Sequence, residues 1–571
     1  MIRGLLLLLA APLWLPWRLI AWLRARAGAR PTLYLVLSGS LPDLPSNAGL
    51  MGLLRRASGH ALAGVLDTLD NAARDPKIET VLVRIENLEC GLGRADELRA
   101  ALARVVSAGK RVIVYADELG LSGFWVALGA SSIRLAPSGA LNVSGVAMQF
   151  TLLKGLLDRA GVRAQLLARG KYKSMREMFA APAISDANRE MLTSLVEDLS
   201  SQLQNLIAAA RKQTPELAKA RLDSGPFRAD EAIANGLCDM TQYWDQLWDE
   251  LGGEKDQVQT FDVYAKRQRR KRFWPVRPTR VALVRITGNI RSGHDRPGRS
   301  GPRATGHQSL RRTLQQVAKS ARIRAIVVRV DSPGGSALAS DLMWRELTLA
   351  SQKKPMFVSM VNVAASGGYY TSGLKGVPVW ANPSTLTGSI GVVGGKFEVS
   401  ELLAKVGITT ATVASGPRAN FYAIDTPWSE AELQKVDRDI DASYREFVTK
   451  MADARNLSYE ALDAVAQGRV WTGQQARENA LVDHLGGLHE VEIALRKQLE
   501  LPSDSPIKWA APSSRRGLLG RGESESEALV DRARALFHAV PELGDALERA
   551  LDLRGDRLLA LSVIHPKWSD R

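Results

Sequence analysis

The sequence contains very little cysteine, and this scarcity argues against two classes of protein. Cys90 and Cys238 are the two cysteines in 571 residues, and they show neither metal-ligand spacing nor a second pair. A disulfide framework needs an even set of cysteines at characteristic spacings, and a structural zinc site needs a Cys/His cluster. We therefore expect no disulfide scaffold, no metal site and no cofactor.

A basic patch with interleaved aromatic side chains is also lacking, although the formal net charge is +16 and aromatic residues make up 6% of the chain. The positive charges concentrate after the N-terminal apolar run and in KRQRRKR, residues 266–272. Surfaces that bind single-stranded nucleic acid combine basic grooves with stacking aromatic rings. This distribution therefore predicts no nucleic-acid partner, and it favours a linker or contact with anionic lipid.

One apolar stretch, residues 4–23, is close to the length needed to span a bilayer core. Two prolines and Arg18 interrupt it, and no clear cleavage site follows. We interpret residues 1–30 as an uncleaved membrane anchor, with an interfacial helix or a signal peptide as alternatives. The arginines that follow would, by the positive-inside rule alone, keep the body of the protein in the cytoplasm.

The remainder of the chain repeats itself, which indicates a tandem duplication. The matching blocks are 33–41 with 281–290, 68–86 with 313–331, 111–125 with 356–370, and 227–239 with 471–483. The offset stays nearly constant, for example 313 − 68 = 245 and 356 − 111 = 245. Strands that alternate with helices at this rhythm predict an α/β fold built on a largely parallel sheet.

This pattern divides the chain into five parts. After the anchor come a first copy, a basic proline-bearing linker, a second copy and a C-terminal extension, at residues 31–265, 266–278, 279–500 and 501–571. The extension has no counterpart in the first half. It begins with a stretch that resembles a flexible segment, and an amphipathic helical pattern follows.

The two copies differ at the positions that could carry chemistry. Ser366, in NVAASGGYYTS, aligns with Leu121, since 366 − 121 = 245. Lys173, in GKYKS, aligns with Ala419, since 419 − 173 = 246. One copy therefore keeps a serine on a glycine-rich turn and the other keeps a lysine, so the two copies are complementary.

A serine hydroxyl needs a base within hydrogen-bonding reach, and a lysine desolvated in an apolar pocket can serve as that base. The histidines lie outside the strong repeat blocks, except at the edge of the last one, which favours lysine. The SPGGS turn offers backbone N–H groups for an oxyanion at Gly334 and Gly335, and Gly367 offers another directly after the serine. Ser389 or Thr387 could orient the lysine amine.

The motifs DSPGGS, NVAASGGYYTS, NPSTLTGSIGV and GKYKS resemble those of the signal peptide peptidase A (protease IV) family, in its long two-copy bacterial form. The resemblance covers roughly residues 31–500. It implies Ser366 as nucleophile, Lys173 as general base and Ser389 as the residue that orients the lysine. The SPGG glycines, Gly334 and Gly335, together with Gly367, would be the oxyanion donors.

The resemblance further implies a crotonase/Clp-protease-like α/β fold in both copies and a homotetramer. It implies peptide substrates, in particular cleaved signal peptides. It also implies a single-pass protein of the bacterial inner membrane with its body on the periplasmic face, a side that the arginines after the anchor do not support. Two alternatives remain at this point: a non-catalytic membrane scaffold of the same fold, and a crotonase-like acyl-CoA enzyme.

Overall fold

The computed structural model describes residues 30–44, 60–253, 257–270, 278–296, 304–503 and 505–512, and a strand at 558–561. The predicted anchor, apart from its last residue, and the predicted amphipathic helix of the extension lie outside these ranges. Within the described part of the chain, no helix is both long enough and apolar enough to cross a bilayer.

The first copy folds into alternating strands and helices. Its elements are β1 (Thr32–Gly39), α1 (Leu62–Arg74), β2 (Thr80–Leu88), α2 (Leu92–Ser107), β3 (Arg111–Leu119), α3 (Leu121–Ala127), β4 (Ser132–Leu141), α4 (Lys154–Ala160), β5 (Arg163–Arg169), α5 (Met175–Ala180), α6 (Asp186–Arg211), α7 (Pro215–Leu222), β6 (Phe227–Arg228), α8 (Ala229–Ala234), β7 (Met240–Thr241), α9 (Trp244–Glu250), β8 (Val258–Thr260) and α10 (Phe261–Arg270).

The second copy follows the same plan. Its elements are β9 (Thr279–Thr287), β10 (Ile290–Arg291), β11 (Thr305–Gly306), α11 (His307–Lys319), β12 (Ile323–Ser332), β13 (Gly334–Ser336), α12 (Ala337–Ser351), β14 (Met356–Ala365), α13 (Gly367–Ser372), β15 (Val379–Ala381), β16 (Leu386–Gly388), β17 (Val392–Glu398), α14 (Ser400–Lys405), α15 (Glu430–Arg455), α16 (Tyr459–Val465), β18 (Val470–Thr472), α17 (Gly473–Glu478), β19 (His484–Leu485), α18 (Leu488–Gln498) and β20 (Ile507–Ala510); β21 (Leu558–Leu561) follows near the C-terminus.

Each copy has its own mainly parallel sheet. The first sheet has the order β6-β4-β3-β2-β1-β8, and the second has the order β18-β16-β14-β12-β9-β20. The central strands contain continuous buried runs, residues 81–83 in β2 and 325–330 in β12, as expected for parallel strands covered by helices. The predicted α/β duplication is therefore confirmed in its architecture.

The structure differs from the sequence-based division at both ends of the second copy. Residues 266–270, assigned to the linker, form the last turns of α10. Strand β20, assigned to the extension, pairs in parallel with β9, just as β8 pairs with β1 in the first copy. The start of the extension therefore does have a counterpart, which the sequence comparison missed because the two short strands share few residues.

A third sheet joins the copies. Its order is β11-β10-β13-β21-β17-β5, so β5 of the first copy pairs antiparallel with β17 of the second. The equivalent of β5 in the second copy, residues 408–414, is not a strand. The duplication is therefore broken where the third sheet forms, and this asymmetry carries the chain after β5 across to the second copy.

Helix α2 packs directly on β14, and a buried ion cluster lies beside this contact. Arg329 on β12 is 1% exposed and donates to Asp43 at 3.1 Å and to Glu97 at 2.5 Å, both from the first copy. Burial alone would lower the pKa of Arg329, but the two carboxylates raise it. A charge this deeply buried is tolerated only when it is paired, so the cluster fixes how the copies meet.

We expect Arg329→Met to lower the free energy of unfolding by about 3–5 kcal/mol, because it leaves two buried carboxylates without their main cation. Urea denaturation at neutral pH measures the change. Arg228→Met, which removes an exposed ion pair with Asp230, is the matched control and should change stability by less than about 0.5 kcal/mol. Equal effects of the two substitutions would contradict this role for the cluster.

Candidate active site

The third sheet delivers Lys173 to the second copy. Strand β5 pairs with β17 in a register that places Arg169 opposite Val392, and a tight turn follows in which the Lys173 N–H donates to the Gly170 carbonyl at 3.0 Å. The lysine side chain, 4% exposed, is thereby turned into the protein interior. A lysine of the first copy thus lies among residues of the second.

Ser366 lies on a sharp turn between a strand and a helix. It follows β14 and precedes α13, with φ of 54° and ψ of −113°, a backbone conformation that non-glycine residues adopt only under strain. Its N–H donates to the Gly388 carbonyl at 2.7 Å. In the first copy, Leu121 is the first residue of the helix after β3, whereas Ser366 lies one residue before its own helix, so the two positions lie at the same strand-to-helix turn within one residue of each other.

Ser389 lies directly after β16, also at a positive φ of 52°. Its N–H donates to the Arg469 carbonyl at 2.7 Å. The alternative candidate, Thr387, points elsewhere: its hydroxyl donates to the Ala364 carbonyl at 2.7 Å. Of the two residues proposed to orient the lysine, the structure therefore brings Ser389 to it.

The three side chains meet at the lysine amine. Lys173 Nζ lies 2.8 Å from Ser366 Oγ, 3.1 Å from Ser389 Oγ and 3.0 Å from the Ser389 carbonyl oxygen. All three residues are buried. Burial lowers the pKa of Lys173 well below its ordinary value, with no charged group contributing to the shift.

The hydrogen bonds around the amine leave its lone pair free to accept a proton. A neutral amine has two N–H donors and one lone pair. The Ser389 carbonyl can only accept, and the Ser389 hydroxyl oxygen can accept the other N–H, so both donors can be directed at Ser389. The lone pair is then free to face the Ser366 hydroxyl. This arrangement can deprotonate Ser366 and activate it as a nucleophile.

The glycines predicted to bind an oxyanion lie on β13 and at the start of α13, two elements that contact each other. Gly334 and Gly335 have φ of 104° and 155°, which require glycine, and α13 begins at Gly367, whose N–H has no acceptor within the helix. The Gly334 N–H donates to Ser332 Oγ at 3.1 Å. The oxyanion role of all three glycines stays a prediction.

Two features at this site escaped the sequence analysis. One is the loop at 467–469, which contacts both the Lys173 turn and Ser389; its only sequence signal is one glycine, Gly468. The other is β21, which lies between β13 and β17 and is antiparallel to both. Gly335 lies opposite Ala560 in that pairing. No periodicity in the sequence could reveal that this short apolar segment fills a gap in a sheet.

We expect Lys173→Met to stabilise the fold, and more so as the pH falls. Because burial lowers the pKa of Lys173 in the folded state, the unfolded state binds more protons below about pH 10.5, and wild-type stability declines as the pH drops from there towards the folded pKa. The slope within the window is up to about 1.4 kcal/mol per pH unit. Urea midpoints of both proteins between pH 6 and 10 test this, and a constant difference across that range would contradict a neutral buried amine.

Comparisons with known proteins agree with the duplicated architecture. The family model described as Peptidase family S49 matches residues 104–258 and again 348–502. The chain is 31% identical to the chloroplastic serine protease SPPA of Arabidopsis thaliana, over 85% of this chain and 71% of that protein. It is 29% identical to Protease 4 of Salmonella typhi, over 83% and 80% respectively.

Among solved structures, ClpP1 from Listeria monocytogenes matches 37% of this chain and 93% of its own, at 14% identity and a TM-score of 0.22. The family assignment rests on the sequence matches, which cover both copies. The chain belongs to peptidase family S49, carries the family's domain twice, and is a serine peptidase.

Proposed function

We propose that this peptidase works through a Ser366–Lys173 dyad shared between its two copies, with Ser389 orienting the lysine. The observation that carries the proposal is the 2.8 Å separation of Lys173 Nζ and Ser366 Oγ in a buried site. Two N–H bonds to Ser389 support the orientation. The scaffold and acyl-CoA alternatives do not account for this arrangement in an S49 peptidase.

The reaction would proceed by acyl transfer. The Ser366 hydroxyl attacks the peptide carbonyl while the neutral Lys173 amine takes its proton, which gives a tetrahedral oxyanion and an ammonium. Backbone N–H groups stabilise the oxyanion, and in this proposal they come from Gly335 and Gly367, because the Gly334 N–H already donates to Ser332 Oγ. The ammonium then protonates the leaving amine as the C–N bond breaks, and water, deprotonated in turn by Lys173, hydrolyses the acyl-enzyme.

The position of β21 supports a binding mode for the substrate. This segment, with the sequence LLAL, lies as an added strand between β13 and β17. An extended peptide in this place could form main-chain hydrogen bonds with β13 on one side and β17 on the other, largely independently of its sequence. We propose that peptide substrates, in particular apolar ones such as cleaved signal peptides, take this place. We further propose that each copy has the crotonase/Clp-protease-like fold implied by the sequence motifs.

We also propose that residues 1–30 anchor the protein in the bacterial inner membrane, with its body on the periplasmic face. We further propose that four chains assemble into a homotetramer. Exposed apolar side chains support self-association. Several lie between α14 and α15, where the equivalent of β5 is not a strand, and include Ile408, Val413, Tyr422 and Ile424. No nucleic acid, metal or cofactor enters this proposal.

We expect Ser366→Ala and Lys173→Ala each to abolish hydrolysis of a fluorogenic apolar peptide, and Ser389→Ala to lower kcat by about 10- to 100-fold. In the wild type, kcat should rise with pH as the Lys173 amine loses its proton, with a pKa well below the ordinary value of 10.5. Thr387→Val, at the neighbouring hydroxyl that does not reach the amine, is the control. A Lys173→Ala enzyme with appreciable turnover would refute the dyad.

Removing β21 should open the peptide site. We expect a chain that ends at residue 557 to bind the same peptide with a several-fold lower KM, because the tethered strand competes with substrate at a high effective concentration. A chain that ends at 561 retains β21 and is the matched control. A synthetic peptide of residues 557–563 should restore competitive inhibition or be cleaved. Identical KM values for the two truncated chains would argue against this binding mode.

A further inference from the structure

We propose that Arg469 is a positioning residue for the reaction, because it locks the Lys173 turn of the first copy onto Ser389 of the second. This inference rests on the proposed dyad. Arg469 makes no contact with the reacting atoms. Its backbone and its side chain instead hold, from opposite sides, the two segments that must meet at the lysine amine.

The backbone of the 467–469 loop contacts both segments. On the first copy's side, the Tyr172 N–H donates to the Gln467 carbonyl at 2.8 Å. On the second copy's side, the Gly468 N–H donates to the Ile390 carbonyl and the Ser389 N–H donates to the Arg469 carbonyl, both at 2.7 Å. A displacement of the loop would therefore move the lysine turn and Ser389 apart.

The packing around the loop leaves no space for such a displacement to be absorbed. Gly468 has φ of 76°, and a Cβ built on it would lie 2.7 Å from the Lys173 backbone nitrogen. A Cβ on Gly170 would lie 2.5 Å from the Gln467 carbonyl carbon, and one on Gly391 would lie 3.1 Å from Lys173 Cδ. The loop thus packs against the backbone and Cβ of Lys173, and Gly391 packs against its Cδ, so that together they help to exclude water from the amine.

The Arg469 side chain ties the loop to the first copy. Its guanidinium lies between the rings of Tyr172 and Trp471, with its central carbon 4.8 and 4.5 Å from the two ring centroids. It donates to the Tyr172 hydroxyl at 3.0 Å and to Glu190 on α6 at 2.5 Å. Glu190 in turn accepts from the Tyr172 hydroxyl at 3.1 Å. The residue before the lysine is therefore held by a cation–π contact and by hydrogen bonds.

These contacts require an arginine at position 469. A planar guanidinium can stack on two aromatic faces while its N–H groups reach a hydroxyl and a carboxylate. A lysine could keep the charge pair with Glu190 but not the stacking. Other charged groups on the elements packed around the Lys173 turn are Lys171 and Arg169 on the first copy and Asp437 and Asp441 on α15. None of these charges contributes to the lowered pKa of Lys173, which burial alone causes.

The test compares Arg469→Met with Arg134→Met. The Arg134 side chain is 4% exposed and that of Arg469 is 14% exposed; Arg134 is likewise paired with a carboxylate, Glu250, but it lies in the first sheet. We expect Arg469→Met to lower kcat by about tenfold or more with little change in KM, since the amine is misplaced while peptide pairing is untouched. The pH at which kcat is half-maximal should also rise, because water reaches the amine. Arg469→Lys should be intermediate.

Arg134→Met should lower the thermal midpoint and leave the pH profile in place. If Arg469→Met instead behaves like Arg134→Met, or loses kcat with no shift of the pH profile, its role is merely structural and the inference is overturned. If Arg469→Met has wild-type kinetics while Lys173→Ala is inactive, the positioning role fails and the dyad stands. Should Lys173→Ala be active, the dyad itself fails, and the positioning role with it.

Discussion

The candidate site depends on one physical constraint: the amine of Lys173 is buried away from water, and burial favours its neutral form. Lys173 carries a lowered pKa from burial alone, without a neighbouring cation. Desolvation of this kind needs cover on all sides. One copy of the domain does not supply it: the lysine turn comes from the first copy, and the serines and the covering loop come from the second.

The division of the site between copies explains how far the duplication is kept and where it is broken. Both copies keep the parallel sheet and the turn after its third strand, because these form the core of each unit. They differ where Ser366 replaces Leu121 and where β5 has no equivalent strand in the second copy. Neither copy therefore needs a complete site. Each needs a fixed position relative to the other, which the Arg329 cluster supplies.

Much of the fold and of the candidate site could be predicted from the sequence. The rest could not, and the reasons are physical. Comparing the copies with each other singled out Ser366 and Lys173 as candidates, because a duplicated chain provides its own reference at every position, and the structure brings the two side chains together. From the residues alone Ser389 and Thr387 were alternatives and the family resemblance favoured Ser389; the structure shows where each hydroxyl points. The 467–469 loop and β21 act through backbone contacts between distant residues, which leave almost no trace in side-chain patterns.

Several features of the candidate site lower the stability of the fold. Ser366 and Ser389 both have positive φ, and strain of this kind costs of order 1–3 kcal/mol for each residue. A buried amine adds to this below its unfolded pKa. Such a site would relax if its surroundings were loose, by backbone rotation or by admitting water. The contacts between the copies prevent both the rotation and the entry of water. The glycines at 170, 391 and 468 allow the backbone of one copy to approach the backbone of the other closely. Close packing across the interface is thus what keeps a strained serine and a lysine of lowered pKa in place.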